Sequence, residues 1–178
     1  MSTPPIIVMG PPGAGKSSTS RALAEILRGE VIDTDHLIEE ACGKRISEIF
    51  TEDGEAFFRA REEEAVLRAL DGAGDRLRII ALGGGAILSK LSQSRLRASG
   101  GIIIYLKVSI AFAAPRIGFN RDRPLLVDNP RAQWVALLKD RAEIYETMAD
   151  LTVDTDNKNA REVAQEIAQK IAITKAGS

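Results

Sequence analysis

The clearest chemistry in the sequence lies in eight consecutive residues, Gly10-Pro11-Pro12-Gly13-Ala14-Gly15-Lys16-Ser17. They match the phosphate-binding pattern G-x-x-x-x-G-K-[ST], and they sit where that pattern works, after the apolar run Ile6–Met9 and before a helical pattern. Glycines let the backbone come close to a ligand, so successive N–H groups can surround phosphate oxygens at a helix N-terminus. Lys16 is expected to reach the β- and γ-phosphates, and the Ser17 hydroxyl to ligate Mg²⁺. The match implies phosphate binding, and a small, soluble, ATP-dependent kinase is the expectation it opens.

Four further groups could serve an acceptor. Asp33 and Asp35 follow the second apolar run, at the carboxyl end of an expected strand, where open α/β sheets bind ligands. One of the two carboxylates would stand near Mg²⁺ and the other would hold or deprotonate an acceptor hydroxyl. Asp35 can also cap a helix beginning near His36, and the two uses are compatible. Arg59 falls on the inward stripe of Val66 and Leu70, with Glu62 one turn on. The pair reads equally as a structural ion pair or as a guanidinium oriented to grip a carboxylate. Arg141 occupies a second inward position, in the apolar stripe of Trp134, Leu137, Leu138, Tyr145 and Met148, where Trp134 reads as core. Gly83-Gly84-Gly85 ends a β-rich run, either exposing backbone N–H groups to a ligand or making a compact turn against the phosphate loop. Arg116, Arg121 and Arg123, with Gly118, Asn120 and Pro124, have the composition of a surface loop that could close over a nucleotide.

These residues need elements to hold them. Short β-rich runs recur at Ile6–Met9, Val31–Asp33, Arg78–Leu82, Ile102–Leu106 and Leu151–Asp154, separated by longer helical patterns. Continuous apolar runs such as Ile102-Ile103-Ile104 suit parallel strands covered by helices on both faces, hence a three-layer α/β/α fold. Between Asp35 and Asp71 the rhythm breaks into successive helices, interrupted at Gly43 and Asp53-Gly54, which implies an inserted helical subdomain. Thr174–Ser178 is expected to fray.

The chain has 178 residues, enough for one domain with such an insertion. With 24 basic and 25 acidic residues there is no global field to gather nucleic acid or an anionic membrane, so small partners and a monomer are expected. The single cysteine, Cys42, cannot form an internal disulfide, and no run is apolar enough for a signal-peptide core or a membrane span. A cytoplasmic location follows as an expectation.

Along nearly its whole length the sequence resembles the shikimate kinase family. The resemblance rests on Met9–Ser17, Ile32-Asp33-Thr34-Asp35, Phe57-Phe58-Arg59 with Glu62, Gly83-Gly84-Gly85, Arg123-Pro124-Leu125-Leu126, and Arg141 followed by Tyr145. It implies a five-stranded parallel sheet, an acceptor-binding subdomain at about residues 34–71 and a lid at about 115–125. It implies also that Arg59, Arg141 and the backbone of Gly83, Gly84 and Gly85 hold the carboxylate and ring of shikimate, while Asp35 fixes its hydroxyls. Nucleotide contacts would come from Gly13, Ala14, Gly15, Lys16, Ser17, Ser18, Arg116 against the adenine, and Arg123. Lys16, Asp33 and Arg123 would be catalytic, with Ser17 and Asp33 at Mg²⁺. The implied reaction is transfer of the ATP γ-phosphoryl group to the 3-hydroxyl of shikimate, a step of aromatic amino-acid biosynthesis. Two positions depart from the family pattern: Ser18 stands for a common threonine, and Asp156–Ala160 lacks the arginines and proline often found beside the adenine. Rival readings are a related kinase of gluconate or a nucleoside monophosphate, and a nucleotide-binding module without phosphotransfer. Intact Lys16, Ser17, Asp33 and Arg123 argue against the latter.

Overall fold

The computed structural model describes residues 3–72, 74–118 and 129–176. Five strands, β1 (Ile6–Met9), β2 (Glu30–Asp33), β3 (Arg78–Ala81), β4 (Ile102–Lys107) and β5 (Leu151–Asp154), form one sheet in the order β2-β3-β1-β4-β5, with every pairing parallel. All five expected strands are present, and the boundaries move by a residue at three of them.

Alternation within the strands builds two cores. Ile6, Val8, Ile79, Ile104 and Leu106 face one side of the sheet, where α1 (Lys16–Leu27) and α8 (Ala160–Ala176) cover them. Ile7, Met9, Ile80, Ile103 and Tyr105 face the other, against α4 (Glu55–Leu70) and α5 (Lys90–Ala98). Because both faces are covered, the central strands read as unbroken apolar runs instead of alternating with polar residues. Truncating a fully buried member such as Ile104 to alanine would cost about 2–5 kcal/mol.

Three helices interrupt the βα rhythm after β2: α2 (Thr34–Cys42), α3 (Ile46–Glu52) and α4. Gly43 and Gly54 stand at the two breaks. These helices close over a small core of their own, Ile38, Ile49, Phe58 and Ala65, with the Phe50 and Phe58 rings 4.6 Å apart. Helices α6 (Ile110–Gly118) and α7 (Pro130–Met148) follow β4. Helix α7 reaches both cores, since Trp134 packs in the first and Tyr145 and Met148 in the second.

Two expectations are corrected here. Arg116 is not in a loop: α6 runs through Pro115 to Gly118, because apolar Ala113 and Ile117 anchor it to the core. Nor does the chain fray at Thr174, since α8 continues to Ala176 and the Thr174 hydroxyl donates back to the Lys170 carbonyl. Among the described residues no helix is long and apolar enough to cross a membrane.

Candidate active site

Two loops and a strand end converge at the carboxyl ends of neighbouring strands: Gly10–Gly15 after β1, Asp33 at the end of β2, and Gly83–Gly85 after β3. This is where the polarity of a parallel sheet places ligands.

The loop after β1 bends back on itself through a hydrogen bond from the Ala14 N–H to the Pro11 carbonyl, 3.2 Å. Gly13 has φ of +84°, and a Cβ there would lie 3.1 Å from the Ala113 carbonyl oxygen, so both its conformation and the approach of α6 demand glycine. Gly15 caps α1, which points its N-terminus, with its unpaired N–H groups and positive dipole end, at the concavity. Lys16 is 7% exposed and its ammonium donates to the Pro11 carbonyl at 3.1 Å, which folds the side chain over the loop. A cavity of about 190 Å³ opens there, bounded by Gly13, Lys16, Ser17, Ser18, Asp33, Asp35 and Arg116.

Asp33 has two tasks. Its Oδ2 accepts from the Ser17 hydroxyl at 2.6 Å, and its Oδ1 accepts from the Asp35 N–H at 3.0 Å. The N-cap of α2 is therefore Asp33, so the alternative use of Asp35 as that cap does not hold. Asp35 stands within the first turn, its carboxylate directed at the cavity and at Gly83.

A Ser17 hydroxyl beside an Asp33 carboxylate is a set of hard oxygen donors. Among the described residues no group of three or more His, Cys, Asp or Glu side chains is arranged to enclose a metal. One or two protein oxygens completed by water and phosphate oxygens is how Mg²⁺ is commonly held, and the donor set fits that ion.

The glycine run is crowded by the acceptor candidates. A Cβ on Gly85 would collide with the Arg59 guanidinium, one on Gly83 with the Asp35 carboxylate, and one on Gly84 would lie 3.4 Å from Arg141 Nη1. None of the three glycines has a positive φ, so close approach, not conformation, constrains Gly83 and Gly85, while a Cβ on Gly84 would make ordinary contact. The Gly83 N–H is engaged by the buried Thr34 hydroxyl at 2.8 Å, so this N–H does not face a ligand as the sequence reading allowed. The run also meets the phosphate loop, for Gly84 comes within 3.7 Å of the Pro12 ring on the same Cβ measure. Ligand wall and compact turn thus coexist.

Arg59 donates to Glu62 at 2.6 Å and to the exposed Glu55 at 3.3 Å. Glu62 is 3% exposed, and burial pushes its carboxyl pKa up against the opposing pull of Arg59. The nearby Asp35 charge pushes in the same direction as burial, and Arg141 opposes it. Arg59, Glu62, Asp35 and Arg141 are therefore one electrostatic cluster, although 82 positions separate the two arginines in sequence. Arg141 is 7% exposed, and four residues on the Tyr145 hydroxyl donates to the Gly84 carbonyl at 2.8 Å. Burial also pushes the Tyr105 phenol, stacked 5.1 Å from Tyr145, up to about 12.

Arg116 donates to the Gly13 carbonyl at 2.9 Å and, with Ala14, Thr19 and Lys158 among others, lines a second cavity of about 230 Å³. Lys158 donates to the Asp154 carbonyl at 2.8 Å and to Glu166 at 2.7 Å. Arg123 lies outside the described residues. Sequence reading missed Lys158, the Thr34 hydroxyl, and the Trp134 indole, whose N–H donates to the Pro12 carbonyl at 2.8 Å. Only Trp134 had a usable signal, since it stands seven residues before Arg141 on the same stripe.

The family model described as shikimate kinase matches residues 12–172. The chain belongs to the shikimate kinase family. A relative described as shikimate kinase from Thermobifida fusca is 46% identical over 170 residues, covering 96% of each chain. Among solved structures, the shikimate kinase from Acinetobacter baumannii in complex with shikimate superposes with a TM-score of 0.91 at 37% identity, covering 97% of this chain and 94% of that one. A gluconokinase from Sinorhizobium meliloti matches with a TM-score of 0.55 at 19% identity, a likeness of fold alone. As a member of the shikimate kinase family the protein is an ATP-dependent phosphotransferase with an alcohol acceptor. Its α/β/α architecture and five-stranded parallel sheet are those expected from the resemblance.

Proposed function

We infer that this protein transfers the γ-phosphoryl group of ATP to the 3-hydroxyl of shikimate, giving shikimate 3-phosphate and ADP. The observation that carries the reading is the convergence of Arg59, Asp35, Glu62 and Arg141 on a glycine run that touches the phosphate loop. A phosphate cradle alone would fit many kinases, whereas two guanidiniums and two acidic side chains beside it suit a small polyhydroxy acid.

Each residue has a task in this reading. Arg59, held by Glu62, and Arg141 grip the substrate carboxylate, a planar anion that guanidiniums bind in bidentate fashion. Asp35 accepts from ring hydroxyls and so orients the one to be phosphorylated. Lys16 leaves the Pro11 carbonyl for the β- and γ-phosphate oxygens, while Gly13, Ala14 and Gly15 present backbone N–H groups. Ser17 and Asp33 hold Mg²⁺, which neutralises charge on the phosphates. Ser18 and Arg116 border the nucleotide, and Arg123 serves the transferring group. Residues 34–71 form the acceptor-binding subdomain, on a monomer, and of the lid expected at about 115–125 the first residues belong to α6 while the rest lie outside the described residues.

Catalysis here is mostly positioning and charge stabilisation, because a loose phosphoryl-transfer transition state requires little early proton abstraction. Both Asp33 oxygens already accept hydrogen bonds, which supports a role in holding Ser17 over one as a general base. The test is ADP release with shikimate, gluconate, AMP and CMP offered separately. Release with shikimate alone is expected, and release with gluconate but not shikimate would overturn the acceptor assignment.

A further inference from the structure

Helix α7 belongs to neither loop of the site and yet touches both. Arg141 and Tyr145 sit against Gly84 on the acceptor side, whereas Trp134, seven residues earlier and about 10 Å along the axis, reaches the phosphate loop. Trp134 is 1% exposed and is wedged in the core on the α1 and α8 face of the sheet, and Tyr145 in the core on the opposite face. The helix is therefore anchored at two points on opposite faces, and the indole is held rigidly.

Three successive carbonyls of the phosphate loop accept hydrogen bonds from side chains of three different helices. Pro11 accepts from Lys16, Pro12 from Trp134 at 2.8 Å, and Gly13 from Arg116 at 2.9 Å. In a trans peptide the C=O and N–H point to opposite sides, and the described chain has no cis peptide bond. Fixing a carbonyl therefore aims the N–H that shares its plane. The Pro11–Pro12 peptide has no N–H to aim, so the first peptide with a donor to set is Pro12–Gly13, the one Trp134 holds.

We propose that Trp134 is a positioning residue for the nucleotide: its indole N–H fixes the Pro12 carbonyl away from the cradle and so directs the Gly13 N–H toward the phosphates. This rests on the reading of the loop as the ATP site. The residue acts through the loop, touches neither substrate, and leaves the acceptor wall to Arg141 and Tyr145 of the same helix.

Trp134→Phe keeps an aromatic ring in the core and removes the donor, together with part of the indole volume. KM for ATP should rise about tenfold, the usual weight of one hydrogen bond, while KM for shikimate stays within about twofold. A purely structural role would lower the melting temperature or the active fraction and leave both KM values alone, and that result would overturn the proposal. Should the variant not fold, the wild-type protein supplies a second readout, because Trp134 is its only tryptophan. Saturating ADP should change the tryptophan emission, and unchanged emission would overturn the proposal. Failure of the ATP reading itself is distinct: the wild type would then release no ADP with any acceptor.

Discussion

The phosphate cradle and the proposed acceptor site lie side by side but are built by opposite strategies. The cradle is one contiguous loop, Gly10 to Ser17, shaped chiefly by backbone conformation, a helix N-terminus and a turn closed within itself, with Arg116 and Trp134 bracing two of its carbonyls from outside. The acceptor pocket has no such local logic. Asp35 comes from α2, Arg59 and Glu62 from α4, the glycines from the end of β3 and Arg141 from α7. A contiguous loop can be carried intact into many folds, so it says only phosphate. Four elements meeting at one point depend on this particular packing, and in the proposed reading they carry substrate identity.

Substitutions can separate the two halves. The largest effect is expected in the cradle, where Lys16→Ala removes a cation from the charge developing on the transferring group. At saturating ATP and shikimate its kcat should fall about 10³-fold, measured by coupled ADP release. Next comes Arg59→Ala, which deletes half of the proposed carboxylate clamp and leaves Glu62 buried without its guanidinium. Here kcat/KM for shikimate should fall about 100-fold with KM for ATP nearly unchanged. Equal losses for both substrates would dissolve the division between the two halves.

Gly85→Ala is a subtler version of the same test, because the added methyl displaces Arg59 instead of deleting it. KM for shikimate should rise about tenfold, and a variant that binds shikimate normally would show that the close approach is incidental. Glu62 gives a pH-dependent check. Its pKa is raised in the folded protein above the ordinary 4.5, so the folded state holds that proton more tightly than the unfolded chain. The associated stability is fully present below pH 4.5 and is lost as the pH rises through the raised value. Relative to Glu62→Gln, the wild type should therefore lose melting temperature as the pH rises across that window. A constant difference would show that Arg59 offsets the burial completely. Smallest of all, Ser18→Thr at an exposed position beside Ser17 should change kcat and both KM values by less than about twofold.

Much of this molecule was legible in its sequence wherever one short segment carries its own physical reason. Apolar runs set the five strands, Gly43 and Asp53-Gly54 broke the inserted helices, and the glycine spacing marked the phosphate loop. The inward stripes exposed Arg59 and Arg141, because a charged side chain on an apolar face is out of place. Reading failed where a side chain had two compatible uses. Asp35 looked like a cap, but backbone geometry gave that task to Asp33. Arg116 sat in loop-like composition, but two apolar neighbours held it in a helix.

What the sequence determined by itself is the kind of chemistry and the order of the parts: a phosphate cradle between a strand and a helix, a helical insertion, and two arginines that needed partners. Only the tertiary structure decided which groups meet. It placed Arg59 and Arg141 around one glycine run, raised the Glu62 pKa among three charges, and brought Trp134 to the Pro12 carbonyl across 122 positions. The reason is one of range. Local patterns fix backbone conformation over a few residues, whereas burial and close approach depend on which elements a parallel sheet sets side by side.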